Sequence, residues 1–323
     1  MATSAWGRAA SLMGGHWVKV TVIGAAGKVG AATAFALQMS GVVRELRLID
    51  VMEDAALGEA LDLLHGSPLC GPLDVRAGGY EVAAGSDIVV VTAGLRRKPE
   101  ETRLQLIGRN VALFRDILAR LTEVTLADGA ILLVVANPVD ILTHIAVESG
   151  WAAERTIGTG TFLDTVRFRS LLAQQLRCDP RAVAALVLGE HGESMVPIWS
   201  SACVDGARVD ACPGLDEASR REIFEQVRAA GAEMIRLKQG AAFAIGLCVR
   251  DVVRAIASDA RCALPVSTRQ RGAHGIEGVC LSLPTLVGKH GVCQVLEPDL
   301  APNELEGLRA SAAVLRDTLA SIR

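Results

Sequence analysis

Five short segments carry residue types that could do chemistry together. Gly24-Ala-Ala-Gly27-Lys28-Val29-Gly30 follows an apolar run and opens a stretch of small residues. Glycines at such a turn let the backbone approach a pyrophosphate, which then rests on the N-terminus of the next helix. The spacing is G-x-x-G-x-x-G, a departure from G-x-G-x-x-G, and a plain strand-to-helix turn has the same composition. Asp50 ends the following apolar run, 20 residues past Gly30. A carboxylate there can bind both ribose hydroxyls and repels a 2′-phosphate, which favours NAD over NADP. Asn137, in Val135-Ala-Asn-Pro-Val-Asp140, falls where open α/β sheets bind ligands, and it also suits a helix cap. His191, in Leu188-Gly-Glu-His-Gly192, has a glycine just after it and another two residues before it, behind an apolar run. That setting suits an exposed, positioned imidazole that titrates near neutral pH, or a structural histidine. Asp164 and Arg167 are three apart and share a helix face, with Asp164 also placed to cap the helix. The fifth segment, residues 92–103, reads T-A-G-L-R-R-K-P-E-E-T-R. Gly94 and Pro99 bracket a polar, flexible loop there, which suits a solvated surface as readily as a substrate clamp.

For these groups to meet, the chain must deliver them to one edge of a sheet. Residues 18–23, 45–49, 88–91 and 130–135 are apolar runs that read as buried strands. Between them, 29–40, 54–65 and 104–125 have helical spacing, the last with Leu106, Ile107, Val111, Phe114 and Leu118 as its apolar residues. Strands alternating with helices imply a doubly wound parallel sheet of Rossmann type, the α/β class. The second half is less regular, with helices over 162–175, 216–239, 243–256 and 303–322, a strand over 182–188, and a Gly/Pro-punctuated strand region over 278–295. A helix over 138–148 ends before a Gly-Thr-Gly turn, which places a boundary near 155–161. The expected organisation is a tail over 1–17, an NAD-binding domain over 18–157 and an α+β substrate domain over 158–323.

Composition narrows the partners. Half of the 323 residues are apolar, aromatics are scarce, and net charge is −3 with no long basic run. That argues against nucleic acid. No apolar stretch reaches the ~20 residues that span a bilayer. The eight cysteines form no C-x-x-C pair and no zinc-type cluster, so the expectation is reduced thiols in a cytoplasmic protein with no metal.

On these residues the chain resembles the lactate/malate dehydrogenase family, from about Lys19 to the C-terminus. The resemblance implies hydride transfer between NAD and a small 2-hydroxy acid. It makes His191 the proton-transfer residue, Asp164 its carboxylate partner and Arg167 the clamp on the substrate's C1 carboxylate. It makes Arg103 the group that polarises the substrate carbonyl once the loop closes, and gives Asn137 contacts to nicotinamide and substrate. Gly24, Gly27, Lys28, Val29, Gly30, Asp50, Thr92, Ala93, Gly94, Asn110 and Val135 fall at its cofactor-contacting positions. Arg97 stands where lactate enzymes usually carry Gln and malate enzymes Arg, and Ala241 where lactate enzymes often carry Thr. A buried Arg97 facing a methyl group would cost about 3 kcal/mol, roughly a hundredfold in preference. The reading is therefore oxidation of (S)-malate to oxaloacetate, as in the tricarboxylic acid cycle. L-lactate or another 2-hydroxy acid is the alternative, because Glu101-Thr-Arg103 resembles the lactate pattern. A non-catalytic NAD-binding protein on this scaffold would lack His191, Asp164 or Arg167. Arg169 matches one half of a sugar-bisphosphate site known in some bacterial members, but Ala184 stands at the other half, so no such activation is expected. The family further implies a homodimer or homotetramer.

Overall fold

The computed structural model describes residues 17–71 and 73–322, so residues 1–16 of the expected tail lie outside the described residues. The first half runs β1 (Val18–Ile23), α1 (Lys28–Gln38), β2 (Val43–Ile49), α2 (Glu53–Cys70), β3 (Asp74–Ala77), β4 (Ile88–Val91), α3 (Arg103–Thr122), β5 (Ile131–Val134), α4 (Val139–Glu148) and β6 (Thr156–Gly158). It continues through α5 (Phe162–Leu176), β7 (Val183–Leu188), β8 (Val196–Val204), β9 (Ala207–Arg208), α6 (Glu217–Lys238), α7 (Phe243–Ala257), β10 (Cys262–Arg271), β11 (Glu277–Gly288), β12 (Gly291–Val295) and α8 (Pro302–Ser321).

Strands β3, β2, β1, β4, β5 and β6 lie side by side and parallel. The apolar runs in this part of the sequence are continuous because both faces of the sheet are covered. Val90 packs into one core, with Val20, Val22, Leu46 and Leu48. Its neighbours Val89 and Val91 pack into the other, with Ile23, Ile49, Leu132 and Val134. The sheet does not stop at the expected domain boundary. Strand β6 pairs with β10 antiparallel at Ser267↔Gly158, and β11 and β12 extend the same sheet to nine strands. A smaller sheet of β7, β8 and β9 closes a third core with α5, in which Phe168 meets Trp199 edge-on at 4.8 Å.

Two local features set the geometry around the ligand edge. Helix α3 starts in a capping box: Thr102 Oγ1 accepts from the Gln105 N–H at 3.2 Å, and Gln105 Oε1 accepts from the Thr102 N–H at 2.9 Å. Helix α7 packs on α1 through Gly246, where a Cβ would meet the Ala32 carbonyl oxygen at 2.7 Å. The second half of the chain is thereby seated on the helix that follows the glycine turn. Among the described residues no helix is long and apolar enough to cross a membrane.

Candidate active site

The C-terminal ends of β1, β2, β4 and β5 deliver the expected cofactor-side residues to one edge. Gly24 leaves β1 at φ +88°, a conformation that favours glycine. A Cβ on it would meet the Ala93 backbone nitrogen at 2.5 Å, and a Cβ on Gly30 would meet the Gly24 carbonyl oxygen at 2.1 Å. The turn is thus held tight by backbone against backbone. Thr92 stitches the two strand ends together, donating its Oγ1 hydroxyl to the carbonyls of Ile23 and Gly24 at 2.9 and 3.1 Å. Gly27 caps α1 without any side chain on the first N–H groups, and the first turn carries no acid. Those donors, with the positive end of the helix dipole, are what a pyrophosphate needs. Asp50 is fixed after β2 by the N–H groups of Ala26 and Met52, both at 3.0 Å. The residues present therefore fit NAD. Lys28 turns its ammonium to the end of α6, donating to the Lys238 carbonyl at 2.7 Å and to Gln239 Oε1 at 3.3 Å. Val29 is half-buried behind the turn. The clash at Gly30 makes a prediction: Gly30→Ala shifts the turn at a cost of about 1–3 kcal/mol and weakens NADH binding by roughly tenfold or more. A fluorescence titration with NADH checks this, and unchanged affinity contradicts the cradle.

The catalytic candidates assemble from three elements. Asp164 lies in the first turn of α5, wholly buried, and its Oδ2 is 2.5 Å from His191 Nδ1. Its other oxygen accepts from Arg167 Nη1 at 3.0 Å, one turn along the same helix. Burial pushes the Asp164 carboxyl up, but the charges and hydrogen bonds of His191 and Arg167 outweigh it and hold the pKa below the usual range. Burial alone lowers the His191 pKa; the Asp164 charge and hydrogen bond reverse this and leave it raised. The arrangement is an imidazole fixed at Nδ1 by Asp164, which favours its protonated form and leaves Nε2 to carry the transferable proton.

Asp140 is a residue that sequence reasoning missed. It belongs to the same Asn-Pro-Val-Asp segment as Asn137, yet its Oδ2 accepts the His191 backbone N–H at 2.7 Å. Burial pushes its carboxyl up to about 6, against the pull of the Ser267 hydroxyl and the His191 N–H. The contact spans 51 positions, so no local spacing announces it. Glu190 was missed too. It is buried, takes the Ser194 hydroxyl at 2.5 Å, and lies 3.5 Å from Arg103 Nη2. Arg103, the first residue of α3, is thus parked beside His191's neighbour. Glu193 reaches away to Arg228, at 3.2 Å.

The remaining candidates occupy the rim. Asn137 is exposed at the end of β5, with Oδ1 accepting from the Val139 N–H at 3.3 Å. Asn110, buried on α3, accepts the Leu95 N–H at 2.7 Å and so anchors the chain just past Gly94. Val135 and Ala93 continue β5 and β4, with their N–H groups bound to Val91 and Ile23. Ala241 is half-buried in the joint between α6 and α7, next to Gly240 at φ +125°. Arg97 does not join the cluster. Its side chain is exposed, and its Nε donates to the Glu101 carbonyl at 2.8 Å.

Comparison with known proteins places this geometry. A pattern described as lactate/malate dehydrogenase, NAD binding domain, matches residues 18–158, and one described as lactate/malate dehydrogenase, alpha/beta C-terminal domain, matches residues 161–323. The chain belongs to the lactate/malate dehydrogenase family and is an NAD-dependent oxidoreductase. An L-lactate dehydrogenase of Gloeobacter violaceus is 43% identical over 312 residues, covering 95% of this chain and 94% of that one. An L-lactate dehydrogenase of Salinibacter ruber is 44% identical over 302 residues, covering 92% and 95%. A crystal structure of the minor L-lactate dehydrogenase from Enterococcus mundtii, in its ligands-bound form, superposes with a TM-score of 0.91 at 36% identity, covering 95% and 99%.

These relatives overturn the malate reading, and the tricarboxylic acid cycle with it. The error has a physical cause. The preference argued from Arg97 requires a buried guanidinium, which needs the second carboxylate of a diacid as its partner. Arg97 is exposed and bonded to its own loop. In this conformation the cation is solvated and pays no burial penalty, so the identity of the residue does not by itself fix the substrate.

Proposed function

We propose that this chain is an L-lactate dehydrogenase that reduces pyruvate to L-lactate, with residues 18–157 holding the cofactor and 158–323 most of the substrate site. The observation that carries the reaction is the chain Arg167–Asp164–His191, a buried carboxylate between a guanidinium and an imidazole. The names of the relatives support the substrate. Gly24, Gly27, Lys28, Val29, Gly30, Asp50, Thr92, Ala93, Gly94, Asn110, Val135 and Asn137 form the cofactor side.

When bound at this edge, NADH would supply the hydride for the carbonyl carbon. His191 gives its Nε2 proton to the carbonyl oxygen, so the alkoxide never forms unprotected. Asp164 fixes the tautomer by accepting at Nδ1 and stabilises the imidazolium that precedes transfer. Arg167, with one nitrogen on Asp164, presents the rest of its planar fork to the substrate carboxylate. Arg103 leaves Glu190 as the loop closes and polarises the carbonyl in a site emptied of water. Asn137 and Ala241 bound the space beside the reacting carbon.

The proposed assembly is a homodimer or homotetramer and the proposed compartment the cytoplasm; exposed apolar side chains support the assembly. Leu57, Leu61 and Leu64 recur at helical spacing on α2 and are 50, 45 and 42% exposed, with Phe35 exposed on α1 and Met39 exposed at its C-cap. Apolar stripes of this kind mark contact surfaces. The substrate is tested by steady-state NADH oxidation with pyruvate and oxaloacetate. The expected result is a kcat/KM at least about tenfold higher for pyruvate, a difference of ~1.4 kcal/mol. A preference for oxaloacetate overturns the lactate reading.

A further inference from the structure

Between Gly94 and Gln105 one residue is buried, and it is a carboxylate: Glu101, 8% exposed among exposed neighbours. A buried charge needs partners, and Glu101 has three sets. Its Oε1 accepts from Arg109 Nη1 at 2.7 Å, two turns into α3. Its Oε2 accepts the Lys98 N–H at 3.0 Å, and its own N–H returns to the Lys98 carbonyl at 3.1 Å. Its carbonyl takes Arg97 Nε at 2.8 Å. The loop is therefore tied in a knot whose core is the Glu101–Arg109 pair, and Arg97 is one of the strands of the knot.

We propose that the Glu101–Arg109 pair is a specificity device: it keeps Arg97 on the loop backbone and out of the substrate cavity. The inference rests on the lactate reading above. It explains how a chain with arginine at this position acts on a monocarboxylate. The bond Arg97 makes is to a main-chain oxygen, so its position depends on the backbone turn at 98–101. That turn is held by the Glu101 carboxylate through the Lys98 N–H and Arg109. With the carboxylate neutralised, the turn loosens and Arg97 becomes free to follow a second substrate carboxylate. Glu101 and Arg109 act here as positioning residues, through Arg97.

The test is the ratio of kcat/KM for oxaloacetate to kcat/KM for pyruvate in wild type, Glu101→Gln, Arg97→Gln and the double variant, each with NADH affinity measured alongside. Glu101→Gln is expected to raise the ratio about tenfold, the worth of one hydrogen bond to a charged group, and the double variant to return it to the Arg97→Gln value. Loss of a purely structural support lowers both substrates together and leaves the ratio unmoved. Arg109→Gln, on a well-formed helix, gives the same reading should Glu101→Gln fail to fold. A wild-type ratio above one overturns the lactate reading and the inference with it. A wild-type ratio below one that neither variant changes, or a rise that persists without Arg97, overturns the knot alone.

Discussion

Replacing His191 by Asn is expected to cut pyruvate reduction by about 10²–10⁴-fold, the contribution of a positioned general acid, while NADH still binds. Asn cannot titrate, so no proton reaches the carbonyl oxygen as the hydride arrives. The substitution is otherwise mild. The backbone N–H that binds Asp140 at 2.7 Å remains, and Asn can still bond to the Asp164 carboxylate. The proposed cofactor cradle, Gly24 to Gly30 with Asp50, is built from other contacts. Single-turnover kinetics with preformed NADH complex separates the two properties. Retention of turnover within tenfold of wild type removes His191 from proton transfer; loss of NADH binding instead gives it a structural role.

The second large effect is at Asp164. This carboxylate is wholly buried between Arg167 and His191, and it is the main reason the His191 pKa is raised, with a smaller contribution from the Asp140 charge. Pyruvate reduction needs the imidazolium, so activity is full below the raised His191 pKa and falls as pH rises through it. In Asp164→Asn the largest raising charge and its hydrogen bond are gone, which leaves only the Asp140 charge to raise the His191 pKa against burial and the nearby Arg167. The alkaline limb of the kcat/KM profile therefore moves to lower pH, and the deficit grows with pH. At neutral pH the loss is expected to be about 10²-fold or more. Removing one partner of a buried ion pair also costs about 3–5 kcal/mol of stability, so the profile is taken where far-UV dichroism shows the variant folded. A limb that stays in place contradicts Asp164 as the group that sets His191.

Much of this was legible in the sequence because it is written in local spacing. The runs 18–23 and 88–91 are strands at those bounds, since continuous β-branched residues between glycines have one good solution in a sheet covered on both faces. The glycine turn, His191 and the Asp164–Arg167 pair are short motifs whose geometry follows from the element that carries them. Five strands are not legible; one of them, β9, is only two residues long. Strand β6 is three residues long and was absorbed into a boundary, although it joins the two halves of the main sheet. Strands β3, β8 and β10 mix polar and apolar residues without a clean period. Helix α2 runs on to Cys70 with Pro68 inside its last turn, where the expected end was 65.

The site divides along the same line. Asp140 and Glu190 touch the catalytic cluster through contacts of 51 and 87 positions' separation, and no motif pairs such residues. Arg97 shows the limit most sharply. Its identity is plain in the sequence, but its exposure and its bond to the Glu101 carbonyl are not, and the substrate inferred from identity alone is overturned by the relatives. A charged side chain reports specificity only when its burial and its partners are known.

The measurement that tests the account most directly is product analysis. Purified protein is incubated with pyruvate and NADH, and the 2-hydroxy acid is quantified on a chiral column against the NADH consumed. The account predicts L-lactate in one-to-one proportion to NADH oxidised. NADH consumption without L-lactate, or none with pyruvate at all, contradicts it.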